Sequence, residues 1–344
     1  MLELRSTVEK AHLIDPEGNA VEQEIEHRID PLTSSVASIN ARLGEKAKAF
    51  FLGGGDEKLL ADYQEKTRAS CPFCSVAGKG TRFPEGFAEG GQLRIGRCVA
   101  VPNLFAKAGF DCVAIIDPAR HVLFPSQLAR EALADGLRVA RELVARARQS
   151  DPALKHHVAG MNFLPAGGSS MPHPHYQVHV RRVPYSRMAA LLHLGAAFYE
   201  KNRRSYWDVL VEEEQKLGAR YIGRQGRVEW LAAYAPAHQR EIWGVIPGIS
   251  TISELTDADA DGLAAGISRV IALYESLGSH PFTFALLSSP EAAPHFALHV
   301  KVCSRPPFKP MYSNYDTWFT PKFMGDDVHT QTPEELAGLV RQRW

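Results

Sequence analysis

Hydrophobic patterns divide residues 93 to 180 into five predicted elements. Residues 93–101 and 111–117 have the apolar, β-branched character of strands. Apolar residues then recur with helical spacing from about Ser126 to Arg148, and the predicted buried stripe is Leu128, Leu133, Leu137, Val139, Ala140 and Leu143. Two more strands are predicted at 157–163 and 173–180. The order is strand, strand, helix, strand, strand.

The same order of elements recurs downstream, which indicates an internal repeat. Residues 227–236 and 241–247 predict paired strands, a capped helix runs to about Leu277, and 282–287 and 296–302 predict the last two strands. This overlay aligns His295 with His175 and His299 with His179. Residues 184–223 predict a charged helical link. We therefore predict an α+β fold of two tandem repeats, at 1–185 and 186–344, each with an antiparallel sheet and a long packed helix.

The N-terminal part of the chain contains little recognisable chemistry. Residues 1–30 predict an arm or a hairpin with a turn at Asp15. Residues 38–51 contain three cations, Arg42, Lys46 and Lys48. Arg42 could contact a phosphate group, or it could be a solvated surface cation.

Composition and charge exclude several classes of partner. Lys and Arg total 39, as do Asp and Glu, so the chain lacks the basic excess that nucleic acids or anionic membranes require. No apolar run has the length of a membrane span, and the charged N-terminus does not resemble a signal peptide. The five cysteines are an odd number, which favours a reduced compartment. We expect a cytoplasmic protein.

The residues around His175 are the strongest candidates for chemistry. If this segment is a strand, alternate side chains share a face, so that His173, His175, Gln177 and His179 form one wall. Tyr176 would then point to the core. The alternative is a half-exposed strand with fortuitous histidines, but a cluster with a period of two favours function.

Two cysteines predict a metal site. Cys71 and Cys74 have the spacing that allows two thiolates to bind one zinc ion, and His121 and His173 are the best candidates for the remaining ligands. A redox role is the alternative, but no thioredoxin-like strand and helix pattern accompanies the pair. With four protein ligands the zinc ion would be structural.

His175 would then stand beside the metal ligands and be free to react. Neutral imidazole attacks phosphorus at pH 7 without a separate base. Gln177, Ser170 and the backbone N–H groups at Gly168 could donate hydrogen bonds to the phosphoryl oxygens.

These residues resemble the histidine-triad superfamily, and in particular its galactose-1-phosphate uridylyltransferase branch, whose hallmark is His-Pro-His-x-Gln. The matching segments are Asp30-Pro-Leu-Thr33, Cys71-Pro-Phe-Cys74, Val101-Pro-Asn-Leu-Phe105, Asp117-Pro-Ala-Arg-His121, Ser170-Met-Pro-His-Pro-His-Tyr-Gln177 and Lys322-Phe-Met-Gly325. The resemblance covers most of the chain and implies that both repeats are histidine-triad-like.

The resemblance also implies roles for individual residues. It assigns zinc to Cys71, Cys74, His121 and His173, the nucleotidylated nucleophile to His175, and phosphoryl stabilisation to Gln177. The implied nucleotide-binding residues are Asn103, Phe105 and Asn162. The residues themselves add Gly168 and Arg42 as candidate contacts of the nucleotide. Lys322 and Phe323 correspond to the sugar-phosphate loop, and the family implies a homodimer.

The chain departs from the family pattern at three places. Tyr176 stands where the family usually has glycine, and His299-Val-Lys301 replaces a His-x-His pair that binds a second metal in bacterial members. The family's Tyr-Glu pair after Lys-Phe-Met is replaced by Gly325-Asp-Asp-Val328, whose carboxylates could still contact sugar hydroxyls.

The resemblance implies a zinc-containing nucleotidyltransferase that uses a nucleotide sugar and a sugar 1-phosphate, with a nucleotidyl-histidine at His175 between two half-reactions. The alternatives are a phosphorylase of a nucleotide sugar or dinucleoside polyphosphate, with inorganic phosphate as acceptor, and a hydrolase. A nucleotide sensor without turnover is a further alternative, in which His175 would be dispensable.

Overall fold

The structure of the protein is a computed structural model that describes residues 2–43, 55–122, 124–310 and 317–344. Lys46 and Lys48 lie outside the described residues. The described helices are α1 (Glu57–Arg68), α2 (Val76–Lys79), α3 (Arg130–Ser150), α4 (Ser186–Asn202), α5 (Tyr206–Leu217), α6 (Asp257–Ser276) and α7 (Pro333–Arg341). None of them combines the length and the apolar character that crossing a lipid bilayer requires.

A small sheet contains the predicted N-terminal hairpin. Its strands, in spatial order, are β1 (Arg5–Ile14), β2 (Ala20–Ile29), β3 (Val36–Ile39) and β14 (Asp327–His329). The first three are antiparallel, and β14 is parallel to β3. The small sheet therefore joins the two ends of the chain.

A ten-stranded antiparallel sheet contains both repeats. In spatial order its strands are β4 (Leu93–Ile95), β5 (Cys98–Pro102), β6 (Phe110–Ile115), β8 (His175–Arg181), β7 (His156–Phe163), β12 (Phe282–Leu287), β13 (Leu298–Ser304), β11 (Ile242–Ile246), β10 (Val228–Ala232) and β9 (Tyr221–Gln225). Read inward from either edge, the two halves have the same order of strands. The predicted repeat and α+β class are therefore confirmed.

The two repeats share one continuous sheet because β7 pairs with β12, with Asn162 opposite Thr283. This pairing gives hydrogen-bond partners to backbone groups that would otherwise lie at an exposed sheet edge in each half. The apolar core is also continuous and contains residues from both α3 and α6. The boundary at residue 185 stays a prediction.

The long helices α3 and α6 pack on one face of the sheet. Every residue of the predicted helical stripe is buried, and all but Leu128, which precedes the helix, lie on α3. Tyr176 of β8 is 0% exposed on this face, and its hydroxyl donates to the Leu133 carbonyl at 3.0 Å. A Cβ atom added at Gly136 of α3 would overlap the Tyr176 ring. The tyrosine therefore fits because the helix above it has a glycine.

The opposite face of the sheet differs between the halves. In the second half, α5 covers it through Trp207 and Leu210, which pack with Trp243 and Phe296. In the first half, this face carries the side chains of the predicted site.

The register of the repeats corrects the sequence overlay. His299 Nδ1 contacts the Ala297 carbonyl at 2.8 Å, and His175 Nδ1 contacts the His173 carbonyl at the same distance. Residue 295 lies before β13 begins. His299 therefore corresponds to His175, and the overlay was wrong by four residues. Lys301 takes the position of Gln177.

We predict that Gly136→Ala lowers the free energy of unfolding by about 1–3 kcal/mol, because the added methyl group overpacks against Tyr176. Urea denaturation measures this change. The matched control is Gly338→Ala in α7, where an added Cβ would meet only the far end of Arg341, at 3.9 Å. Equal stability of Gly136→Ala and the unmodified protein would contradict this account of the packing.

Candidate active site and metal centre

Four side chains predicted to bind a metal converge in the structure. The ligand atoms of Cys71, Cys74, His121 and His173 all lie within 4.8 Å of one another. His173 Nδ1 lies 3.7 Å from Cys71 Sγ and 3.4 Å from Cys74 Sγ, and His121 Nδ1 lies 3.6 Å from Cys74 Sγ. In tetrahedral zinc with usual bond lengths, sulfur and nitrogen ligands are about 3.6 Å apart. The donor set and its separations therefore fit zinc.

Three separate segments supply the four side chains of this group. The two cysteines lie on the turn between α1 and α2, His121 lies on the loop after β6, and His173 lies just before β8. The pairing of β6 with β8 brings the last two segments together, and the Ile116 N–H extends it by donating to the Pro174 carbonyl at 3.2 Å.

Hydrogen bonds orient both imidazoles towards the centre. His173 Nε2 donates to the Asp117 carbonyl at 3.0 Å. His121 Nε2 lies 3.0 Å from Thr67 Oγ1, whose own proton goes to the Tyr63 carbonyl at 2.7 Å. Both Nδ1 lone pairs therefore face the thiols, as metal ligands require. Sequence reasoning missed Thr67, because a threonine on an ordinary helix gives no signal of this contact.

Desolvation keeps the imidazoles of His121 and His173 neutral. It lowers the pKa of His173 to about 4, and it also lowers the pKa of His121. Neutral imidazole is the form that binds a metal ion.

His175 is held with one nitrogen available. Its Nδ1 donates to the His173 carbonyl at 2.8 Å, so Nε2 carries the lone pair. The ring is buried, and it makes an edge contact with the Phe73 ring at 5.0 Å between centroids. Desolvation is the main cause of the lowered pKa of His175, and the ring is therefore neutral at pH 7. The arrangement suits a nucleophile.

Three of the four predicted wall residues lie on the strand itself. His175, Gln177 and His179 belong to β8 and share the face opposite Tyr176. His173 precedes the strand, and its side chain points towards Cys71, Cys74 and His121. The expectation that four residues form one wall of the strand is therefore wrong for His173. The neighbouring Pro174 has no N–H group for the ladder, which explains why the strand begins at residue 175.

The glycine turn lies between β7 and β8. Gly168 has φ of 90°, a left-handed conformation that favours glycine. A Cβ atom at Gly168 would lie 3.8 Å from Asn162 Cγ, so these two predicted nucleotide contacts are neighbours. Ser170 is exposed in the same turn. The turn connects to the second repeat because Thr283 Oγ1 donates to the Gly167 carbonyl at 3.0 Å.

A loop beside the site is anchored by Asp111, which sequence reasoning missed. Its carboxylate accepts from Asn103 Nδ2 at 3.1 Å and from the Lys107 backbone at 2.6 Å. His179 Nε2 lies 3.5 Å from the same carboxylate. Asn103 therefore shapes this loop, and Phe105 at its tip is 79% exposed. The sequence feature that could have indicated this role is an acidic residue near the start of an otherwise apolar strand.

The remaining predicted residues belong to the region of the small sheet. Arg42 is exposed after β3. Lys322 and Phe323 are exposed on the helical turn before β14. Strand β14 belongs to the small sheet, whereas His175 lies on β8 of the large sheet. Asp327 is 2% exposed and accepts from Gln239 Nε2 at 3.2 Å, so its carboxylate is a structural partner.

Comparisons with solved structures establish the fold. An ADP-glucose phosphorylase from Arabidopsis thaliana, with ADP-glucose bound, has a TM-score of 0.70 at 17% identity and covers 92% of this chain and 99% of its own. A GalT-like protein from the same plant has a TM-score of 0.67 at 17% identity, covering 93% and 99%. A uridylyltransferase mutant has a TM-score of 0.65 at 19% identity, covering 79% and 90%.

Comparisons of sequence give a closer relationship. No known family model matches the chain. An uncharacterised protein of Archaeoglobus fulgidus is 30% identical over 346 residues, which span 100% of this chain and 99% of the relative. The resemblance to the galactose-1-phosphate uridylyltransferase branch is thus confirmed in the fold. The chain belongs to the same family as the Archaeoglobus fulgidus protein, and it has the fold of GalT-like uridylyltransferases and nucleotide-sugar phosphorylases.

Proposed function

We propose that this protein is a nucleotidyltransferase that acts on a nucleotide sugar through a nucleotidyl-histidine at His175. The observation that carries the proposal is the state of this residue, a neutral imidazole whose Nδ1 donates to a backbone carbonyl and whose Nε2 carries the lone pair. The ADP-glucose bound to a protein of the same fold supports a nucleotide sugar as the donor.

In the first half-reaction, His175 Nε2 attacks the α-phosphorus of the donor. A phosphorus–nitrogen bond forms, and the bond from this phosphorus to the bridging oxygen breaks. Sugar 1-phosphate leaves with the electron pair, and it needs no acid because a phosphate is a stable leaving group. In the second half-reaction, an acceptor oxygen attacks phosphorus and returns the pair to Nε2.

The chain's own groups stabilise the charges of this reaction. The Nδ1–H bond to the His173 carbonyl stabilises the positive charge that the ring gains when Nε2 is substituted. Gln177, Ser170 and the N–H groups at Gly168 are proposed to donate to the phosphoryl oxygens. Nucleotide contacts are proposed for Asn103, Phe105, Asn162 and Arg42.

We propose zinc as the metal bound by Cys71, Cys74, His121 and His173. Four protein ligands leave no open position, so the ion would supply rigidity instead of Lewis-acid chemistry. The rigidity matters because the His173 side chain belongs to the metal group and its carbonyl orients His175.

The proposed acceptor is a sugar 1-phosphate, with Lys322 and Phe323 as its contacts, in a homodimer. A specific observation favours a second candidate, in which inorganic phosphate is the acceptor. Asp327 is buried and accepts from Gln239 Nε2, so it is not exposed as one of the two carboxylates that could contact sugar hydroxyls. The fold shared with an ADP-glucose phosphorylase is consistent with this second candidate.

We expect one zinc ion per chain in the purified protein, measured by elemental analysis. Cys71→Ser and His121→Ala should lose the metal and melt at lower temperature, because each removes one of four ligands. His193→Ala, at an exposed position on α4, is the control and should retain both properties. Full zinc content and unchanged melting in Cys71→Ser would disprove the assignment.

We expect donors labelled in the α-phosphate, ADP-glucose and UDP-glucose in parallel, to label the protein. The label should be labile in acid and stable in base, as a phosphorus–nitrogen bond is. His175→Ala should abolish labelling and lower turnover by about a thousandfold or more, because it removes the nucleophile. His193→Ala should label normally. Labelling that persists in His175→Ala would refute the proposed intermediate.

Discharge of the labelled protein identifies the acceptor. We expect discharge to be fastest with glucose 1-phosphate or galactose 1-phosphate, measured by rapid mixing against inorganic phosphate and buffer alone. Fastest discharge with inorganic phosphate would make the enzyme a phosphorylase. Equal rates with and without an added acceptor would make it a hydrolase.

A further inference from the structure

The strand that holds His175 supplies no positive charge beside this residue. His175, Gln177 and His179 lie on one face of β8. Desolvation is the main cause of the lowered pKa of both histidines, so both rings are neutral at pH 7. Arg181 ends the strand roughly 20 Å from His175 at the usual rise per residue, and it stacks on the Tyr185 ring. Each phosphate of a nucleotide sugar is negatively charged, so the proposed reaction calls for a cation from another segment.

The loop between β5 and β6 returns to this face of β8. Asp111, near the start of β6, lies opposite His179 in the antiparallel ladder. Opposite residues share a face of the sheet, and Asp111 Oδ1 lies 3.5 Å from His179 Nε2. The side chain of Asp111 is 0% exposed. The end of the loop is therefore fixed beside the candidate active site, on the same face as His175.

The Asp111 carboxylate holds the loop from within. It accepts from the Lys107 backbone at 2.6 Å and from Asn103 Nδ2 at 3.1 Å. Asn103 Oδ1 in turn accepts from the Phe105 backbone at 3.2 Å. A buried carboxylate that lost these donors would keep its charge without compensation, which is costly. These bonds therefore restrict the backbone of Lys107 to a position beside the site.

Lys107 has an ammonium group that forms no ion pair within the described residues. The residue is exposed. Its charge lowers the pKa of both His175 and His179, in addition to the larger effect of desolvation. The two rings lie on either side of Gln177 along β8, so one cation acts on this whole segment. The flexible four-carbon stem of a lysine allows the ammonium group to reach a ligand there.

We propose that Lys107 contacts the phosphates of the donor and stabilises the charge that the departing sugar 1-phosphate gains. The inference rests on the proposed function and adds a catalytic residue to it. When the bond from the α-phosphorus to the bridging oxygen breaks, the leaving group takes the electron pair and gains negative charge. A lysine suits this role because its three rotatable donors can follow the charge from one phosphate to the next. Asp111 is a positioning residue, which acts through the backbone of Lys107.

The test combines labelling kinetics with equilibrium binding. Lys107→Met should slow the labelling of His175 by the α-phosphate-labelled donor about a hundredfold, because it removes a charged donor from the transition state. In the His175→Ala background, which lacks the proposed nucleophile, Lys107→Met should weaken binding of ADP-glucose or UDP-glucose about tenfold in calorimetric titrations. Lys107→Arg should recover most of both effects, because arginine retains the charge.

Lys201→Met is the matched control, at an exposed lysine in the last turn of α4, and should behave as the unmodified protein does. Asp111→Asn should also slow labelling, and Lys107→Met should add little to this loss, because the loop no longer presents the lysine. Additive losses would overturn the positioning role of Asp111. Lys107 is exposed, so its variants decide the question if Asp111→Asn does not fold.

The outcomes separate this inference from the proposed function. Labelling that is abolished in His175→Ala but unchanged in Lys107→Met would overturn the role of Lys107 and leave the proposed function intact. If the unmodified protein is not labelled, or if His175→Ala is still labelled, the proposed intermediate fails and binding decides. Weaker donor binding in Lys107→Met would then support the phosphate contact, and equal binding would overturn it. Failure of both donors to bind the unmodified protein would overturn both proposals.

Discussion

The hydrogen bond from His175 Nδ1 to the His173 carbonyl joins the two chemical groups of this protein. The side chain of His173 belongs to the candidate metal site, and its carbonyl orients the His175 ring, whose Nε2 has a free lone pair. The tautomer of His175 therefore depends on the position of the His173 carbonyl, which the contacts of the His173 side chain fix. Pro174, between them, has no N–H group and limits the backbone freedom of this short segment.

This constraint explains why several distant segments are needed. The position of His173 depends on Cys71 and Cys74, which follow α1, and on the Asp117 carbonyl, which follows β6. Thr67 in turn orients His121. A rigid sheet supports these contacts, because Tyr176 is locked beneath the site against α3.

The duplicated half retains the same backbone geometry with different chemistry. His299 contacts a carbonyl two residues upstream, as His175 does. Its ring is enclosed by Trp207, Trp243 and Phe296, and burial lowers its pKa to about 3, so that it is neutral and sheltered. Helix α5 covers this face of the sheet in the second half through Trp207 and Leu210.

Local sequence patterns predicted the strands and helices of the two repeats and the four residues of the candidate metal site. Strand and helix periodicities are local, and the Cys71 to Cys74 and His173 to His175 spacings place chemical groups within a few residues of one another. The contacts between distant segments became visible in the folded chain. In the structure, β7 and β12 pair and join the two halves. His299 corresponds to His175 and not to His179, and the Asp111 carboxylate lies next to His179. Local patterns could not predict these contacts, since strand register and burial depend on residues far away in the chain.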